Sequence, residues 1–255
     1  MRIGLFDSGI GGLTLLECAL RYLPEEEYFF YADSDHVPYG EKKKEEILQY
    51  SENAVQFLIQ QGCDVIVIAC NTATSVAAAR LREKYDLPII GIEPAVKPAV
   101  EHSNHKRVLV MATETTVREK KLKELVDRVD EEHLVDMIAM PGFVKYAERG
   151  EFENENIVDY IRSQLKGKRI SDYSEVVLGC THFNHFAKQI KEVFGADCEI
   201  LDGSEGTIRN LVRIVQEKQL PSHGKCEITY FQSGRRVTDS KTLAFYEKVL
   251  NRLKK

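Results

Sequence analysis

One stretch of this sequence occurs twice in altered form, and that duplication constrains the fold more than any other feature. Asp64-Val65-Ile66-Val67-Ile68-Ala69-Cys70-Asn71-Thr72 is matched by Glu175-Val176-Val177-Leu178-Gly179-Cys180-Thr181-His182. Each copy is an acid, an apolar run, one small residue, a cysteine and two polar residues. The two cysteines lie 110 residues apart. Two earlier apolar segments repeat at a similar offset. Arg2–Phe6 ends in Asp7-Ser8-Gly9, and Arg107–Met111 ends in Ala112-Thr113-Glu114-Thr115-Thr116. A period this long indicates two related supersecondary units rather than a solenoid.

Between these segments the periodicity changes. Glu45–Gln61 carries apolar residues at helical spacing (Ile47, Tyr50, Ala54, Leu58) and stops at Gly62. An alanine-rich helix is expected from Thr72 to Lys84, and Pro88 leads a further strand, Ile89–Ile92. Short apolar strands alternating with helices of ten or more residues predict an α/β fold of doubly wound, mainly parallel sheets covered on both faces. The second unit is placed at 97–208 and the first at 1–96 plus 209–255. Cys226–Phe231 and the helical tail after Thr238 are expected to pack back on the first unit.

Net charge is −5, which argues against a nucleic-acid-coating protein, since phosphate binding needs a basic stripe. Lys42-Lys43-Lys44 runs straight into Glu45-Glu46 and reads as a solvated helix start. Asp7 interrupts the apolar start too early for a signal peptide, and Val65–Cys70 is too short to cross a bilayer. The expected location is cytoplasmic, with no membrane partner and the six cysteines reduced.

Ligands of parallel α/β sheets sit beyond the carboxyl ends of the strands. Asp7-Ser8, Cys70-Asn71-Thr72, Thr113–Thr116 and Cys180-Thr181-His182 all fall there. Two facing units would bring Cys70 and Cys180 to one interdomain cleft. Helices starting behind these loops would favour bound carboxylates and lower a thiol pKa below its free value. A single cysteine after a strand is more often a small buried hydrophobe. The matched pair, each followed by hydrogen-bonding residues, points to function, whereas Cys18, Cys63, Cys198 and Cys226 read as structural. Asp7 also suits a helix N-cap, and His182 alone suits a loop hydrogen bond.

Opposed thiols imply two-base proton transfer: one sulfur removes a proton from carbon and the other returns one from the opposite face. A cysteine hydrolase would use Cys70 with His182 and leave Cys180 idle. Cys180, His182 and His185 with Cys70 have the donor types for zinc, although only folding could assemble them. Gly9-Ile10-Gly11-Gly12 fails the dinucleotide pattern at Thr14. Pyridoxal phosphate would make paired cysteines unnecessary. A binding module for an acidic ligand is the reading from a different class.

With these residues assembled, the chain resembles the glutamate racemases of the aspartate/glutamate racemase superfamily. The resemblance rests on Phe6-Asp7-Ser8-Gly9-Ile10-Gly11-Gly12-Leu13, Val37-Pro38-Tyr39-Gly40, Ala69-Cys70-Asn71-Thr72-Ala73, Gly91-Ile92-Glu93-Pro94 and Gly179-Cys180-Thr181-His182. It implies two pseudo-symmetric α/β domains with the site between them, no cofactor and no metal. It also implies a homodimer that supplies D-glutamate for peptidoglycan. By the same resemblance Cys70 exchanges the α-proton with D-glutamate and Cys180 with L-glutamate, assisted by Asp7 and His182. Glu148 falls where the family has another acid. Asp7, Ser8, Tyr39, Gly40, Asn71, Thr72, Thr181 and His182 would hold the amino acid. The chain departs from the family pattern at Asp35-His36, at Glu119 (usually serine), at Lys145-Tyr146 (usually Pro-Leu) and at Phe183-Asn184-His185-Phe186 (usually Tyr-Pro-Leu-Leu).

Overall fold

The computed structural model describes residues 1–220, 222 and 224–254. The first run of alternating elements is β1 (Arg2–Asp7), α1 (Leu13–Tyr22), β2 (Glu27–Ala32), α2 (Lys44–Gln60), β3 (Val65–Ile68), α3 (Asn71–Lys84) and β4 (Ile89–Gly91). After α4 (Val96–His102) come β5 (Arg107–Ala112), α5 (Glu114–Arg118), α6 (Lys120–Val129), β6 (Val135–Ala139), α7 (Pro141–Glu148) and α8 (Ile157–Gln164). The second run closes with β7 (Tyr173–Gly179), α9 (Ala187–Phe194) and β8 (Glu199–Asp202). α10 (Ser204–Glu217), β9 (Glu227–Gln232), β10 (Arg235–Arg236) and α11 (Ser240–Leu253) follow.

The strands form two sheets, ordered β10-β9-β2-β1-β3-β4 and β6-β5-β7-β8. The order second, first, third, fourth therefore occurs in both. Every ladder is parallel except the β9–β10 hairpin. Parallel strands covered on both faces become uninterrupted apolar runs, and all four residues of β3 are buried. β9 adds to the edge of β2, so the late strand does return to the first sheet.

Register fixes what lies at each carboxyl edge. Phe6 pairs with Ile68, which sets Asp7 beside Ala69-Cys70, and Ala112 pairs with Gly179, which sets Thr113 beside Cys180. The largest hydrophobic cluster runs from Ile3, Leu5 and Leu13 to Phe143, Phe183 and Phe186, so the two sheets share one continuous core.

The helix expected behind each cysteine forms directly only after Cys70. After Cys180, Thr181–Phe186 is a 3-10 turn before α9. Phe183 and Phe186 are both fully buried against Phe143, at ring-centroid distances of 5.0 and 4.7 Å. A 3-10 turn stacks residues three apart, which lets both rings enter one aromatic pocket.

Candidate active site

Asp7 and Cys70 end adjacent strands. Cys70 is the N-cap of α3, its Sγ accepting the Ala73 N–H at 3.4 Å and lying 3.6 Å from the Ser8 hydroxyl. The helix terminus was expected to lower this thiol, and the opposite holds. Burial pushes Cys70 up to about 12, and the neighbouring Asp7 acts in the same direction, as does Cys180. Removing a thiolate from water outweighs the contribution of the Ala73 amide and Ser8.

Asp7 is fully buried. Its Oδ1 accepts the Gly9 N–H at 3.0 Å, and its Oδ2 accepts the Thr181 hydroxyl at 3.0 Å. Burial raises its pKa to about 6, against the lowering effect of His182 and these hydrogen bonds. It does not cap α1, whose N-cap position is Gly12.

On the other side, Cys180 Sγ lies 3.7 Å from His182 Nδ1. His182 Nε2 lies 2.6 Å from Glu148 Oε1, which also accepts the Ile10 N–H at 2.9 Å. Burial opposes a charge on His182, but the hydrogen bonds to Cys180 and Glu148 outweigh it and raise its pKa well above the usual value. α7 thus delivers Glu148 to the imidazole across a gap of 34 residues in sequence. The Gly9–Gly12 segment presses against this group. A Cβ on Gly11 would lie 2.4 Å from Thr181 Oγ1 and 2.5 Å from His182 Nδ1, so only glycine allows the approach.

His185 stands apart. Its ring packs on Phe152 at 4.7 Å between centroids, and burial pushes its pKa down to about 3. Among the described residues no group of three His, Cys, Asp or Glu side chains is placed to hold a metal ion, and the four-residue zinc set does not assemble.

Around the thiols stand further polar groups. Thr72 Oγ1 lies 2.9 Å from Thr113 Oγ1 and 3.2 Å from Thr116 Oγ1, joining the start of α3 to the start of α5. Both side-chain polar atoms of Asn71 are buried without a partner among the described residues. A cavity of about 130 Å³, lined by Asn71, Ser75, Glu93, Thr116 and Lys121 among others, opens beside them. Tyr39 is buried and donates its hydroxyl to Asp33 Oδ2 at 2.6 Å. Asp33 also binds His36 Nδ1 at 2.9 Å and accepts the Ser233 hydroxyl at 2.8 Å. Asp33 was absent from the sequence-based candidates. Its signal was an acid directly after β2, one residue beyond Ala32, the register partner of Asp7. Asp35 pairs outward with Arg235 at 2.7 Å.

Two thiols therefore close adjacent corners of one polar cluster, each with its own oxygen or nitrogen partner. The sequence profile described as Asp/Glu/hydantoin racemase matches residues 14–231. The chain belongs to this racemase family. A glutamate racemase of Campylobacter curvus is 48% identical, the alignment covering 100% of this chain and 98% of the relative. One of Lachnospira eligens is 45% identical with the same coverage. In three dimensions the racemase fold is shared with Escherichia coli glutamate racemase, solved with L-glutamate and the activator UDP-MurNAc-ala. That match has a TM-score of 0.84 and 28% identity, and covers 99% of this chain and 94% of that one.

Proposed function

We propose that this racemase interconverts L- and D-glutamate by two-thiol proton transfer without a cofactor. The site would lie between a first domain (1–96 plus 209–255) and a second (97–208). The observation that supports the reading best is the polar bridge between the cysteine loops. Ser8 and Asp7 adjoin Cys70, and Asp7 holds Thr181, the neighbour of Cys180.

In the direction from L-glutamate, Cys180 acts as the base. His182, held by Glu148, carries positive charge beside the sulfur. The thiolate takes the α-proton, leaving a planar carbanion, and the Cys70 thiol donates its proton to the opposite face. Cys70, held protonated by burial, suits that role. Cys180 is then the thiol and Cys70 the thiolate, so the return reaction starts from the opposite charge state. When D-glutamate binds instead, Asp7, with a pKa near 6 and linked through Ser8, accepts the Cys70 proton so that Cys70 is the base, and His182 passes a proton to Cys180, which then returns it to carbon. Ser8, Tyr39, Gly40, Asn71, Thr72 and Thr181 bind the amino acid. The unpartnered Asn71 amide and the threonine hydroxyls are donors for carboxylates.

The product D-glutamate would serve peptidoglycan synthesis, with the enzyme a cytoplasmic homodimer, as the resemblance implies. No helix among the described residues is long and apolar enough to cross a membrane. The decisive experiment incubates either enantiomer of glutamate in D₂O and follows optical rotation and α-deuterium together. Loss of rotation with α-deuterium incorporation is expected, and Cys70→Ser or Cys180→Ser should each lower turnover by about 10²-fold or more. Full racemisation by either variant would sink the two-thiol assignment. Rescue of a D-glutamate auxotroph tests the cellular role.

A further inference from the structure

Cys70 and Cys180 are only 6 and 7% exposed, so a substrate reaches them only when the covering segments part. One such segment, Tyr39–Lys44, leans from the first run of elements onto the second. Gly40 abuts Thr113, where a Cβ would lie 2.7 Å from the threonine Cβ, and its carbonyl accepts the Thr115 hydroxyl at 2.8 Å. Two ion pairs flank this contact. Glu41 pairs with Lys145 of α7 at 2.8 Å, and Lys44 at the start of α2 pairs with Glu119, between α5 and α6, at 3.0 Å. Their polarities are opposite: the segment presents an acid to α7 and a base to Glu119.

Lys145 and Glu148 lie three residues apart on α7, hence on one helical face. One reaches the rim pair and the other reaches His182. The rim pair and the catalytic imidazole therefore share a rigid element.

The geometry points to Lys145 and Glu119 as positioning residues. With Glu41 and Lys44 they form a two-point electrostatic latch that holds the Tyr39–Gly40 segment over the bound amino acid and releases it for exchange. The inference takes its assay substrate from the glutamate racemase reading. The Glu41–Lys145 pair is half-exposed, and such a pair adds little to the stability of a fold. In the second pair Lys44 is exposed and Glu119 is buried. Here each pair spans a gap that opens, so its strength enters the opening equilibrium directly. Salt screens such pairs and weakens the latch.

The test uses Lys145→Glu, Glu41→Lys and their double swap, and likewise Glu119→Lys, Lys44→Glu and their double. Each single variant should raise KM for both enantiomers about five-fold, as loss of about 1 kcal/mol implies, with kcat changed less than about two-fold. Each double swap should return KM to within about two-fold of the parent. Hydrogen exchange of the 39–44 amides, measured without substrate, should quicken in the single variants and recover in the swaps. Singles with the parent's KM, or swaps as impaired as the singles, overturn the latch. Should the parent fail to racemise glutamate, that reading falls, and the exchange data alone decide the latch. Misfolded singles with unfolded circular-dichroism spectra are replaced by Lys145→Gln and Glu119→Gln, judged by the same KM and exchange criteria.

Discussion

Asp7 Oδ2 accepts the Thr181 hydroxyl at 3.0 Å, joining residues 174 positions apart and linking the loop beside Cys70 to the loop beside Cys180. A fully buried carboxylate that bridges the two thiol loops makes the charge state of the site depend on packing, and the expectations below follow from that.

Asp7 has its pKa raised to about 6 by burial, above the ordinary carboxylate value of 3.8. The folded state therefore binds this proton more tightly than the unfolded one. Ionising Asp7 costs the fold on the order of 3 kcal/mol, a cost absent below about pH 4 and complete above about pH 6. Asp7→Asn can keep both hydrogen bonds, because the Thr181 hydroxyl also accepts. Melting temperatures should favour the variant more at pH 8 than at pH 4, while turnover falls. A difference that does not change between those pH values would contradict the assignment.

Glu148 helps to hold His182 protonated. Glu148→Gln keeps an acceptor for the Ile10 N–H but removes the charge, so the imidazolium loses its proton at lower pH. The alkaline limb of the rate profile should move down, with kcat reduced about 10-fold to 100-fold. Because a racemase has an equilibrium constant of one, kcat/KM must fall equally in both directions. A profile of unchanged shape would show that Glu148 does not act through His182.

His185 is buried neutral, with a pKa near 3 and no hydrogen bond to either ring nitrogen among the described residues. Its folded pKa lies below the unfolded value of 6.5, so the fold resists its protonation. Stability should drop as pH falls from about 6.5 towards 3, by up to roughly 4 kcal/mol. His185→Leu removes that loss and also two unsatisfied polar atoms, adding on the order of 1 kcal/mol at pH 8. Urea midpoints at pH 8 and pH 5 give the comparison, and equal acid sensitivity in both proteins would refute it.

Gly11→Ala places a methyl group within 2.5 Å of His182 Nδ1 and within 2.4 Å of Thr181 Oγ1. The imidazole or the loop must move. Turnover should fall about 10²-fold, because catalytic geometry tolerates little displacement. The folded protein should lose only about 1–3 kcal/mol. Retained turnover would mean that the Gly9–Gly12 segment yields without disturbing the histidine.

Much of the architecture was legible because it is written locally. The apolar runs at Val65–Ile68 and Val176–Leu178 form central strands, Gly62 ends α2 with φ of 77°, and Cys70 caps a helix that runs to Lys84. Strands β2, β6 and β8 were less visible. β6 and β8 are edge strands whose alternating or half-buried residues carry a weaker apolar signal than a central strand. The turn after Cys180 depended on the aromatic pocket that receives Phe183 and Phe186, which no local periodicity encodes.

The amino-acid order by itself determined that two runs of α/β elements would form and that the candidate site residues would stand at strand ends, because side-chain period and strand polarity are local properties. Tertiary structure alone decided that Glu148 meets His182, that Asp33 anchors Tyr39, and that Cys70 is held as a thiol despite its helix. Those outcomes depend on non-local contacts and on how much water packing removes, and neither quantity exists until the chain has closed on itself.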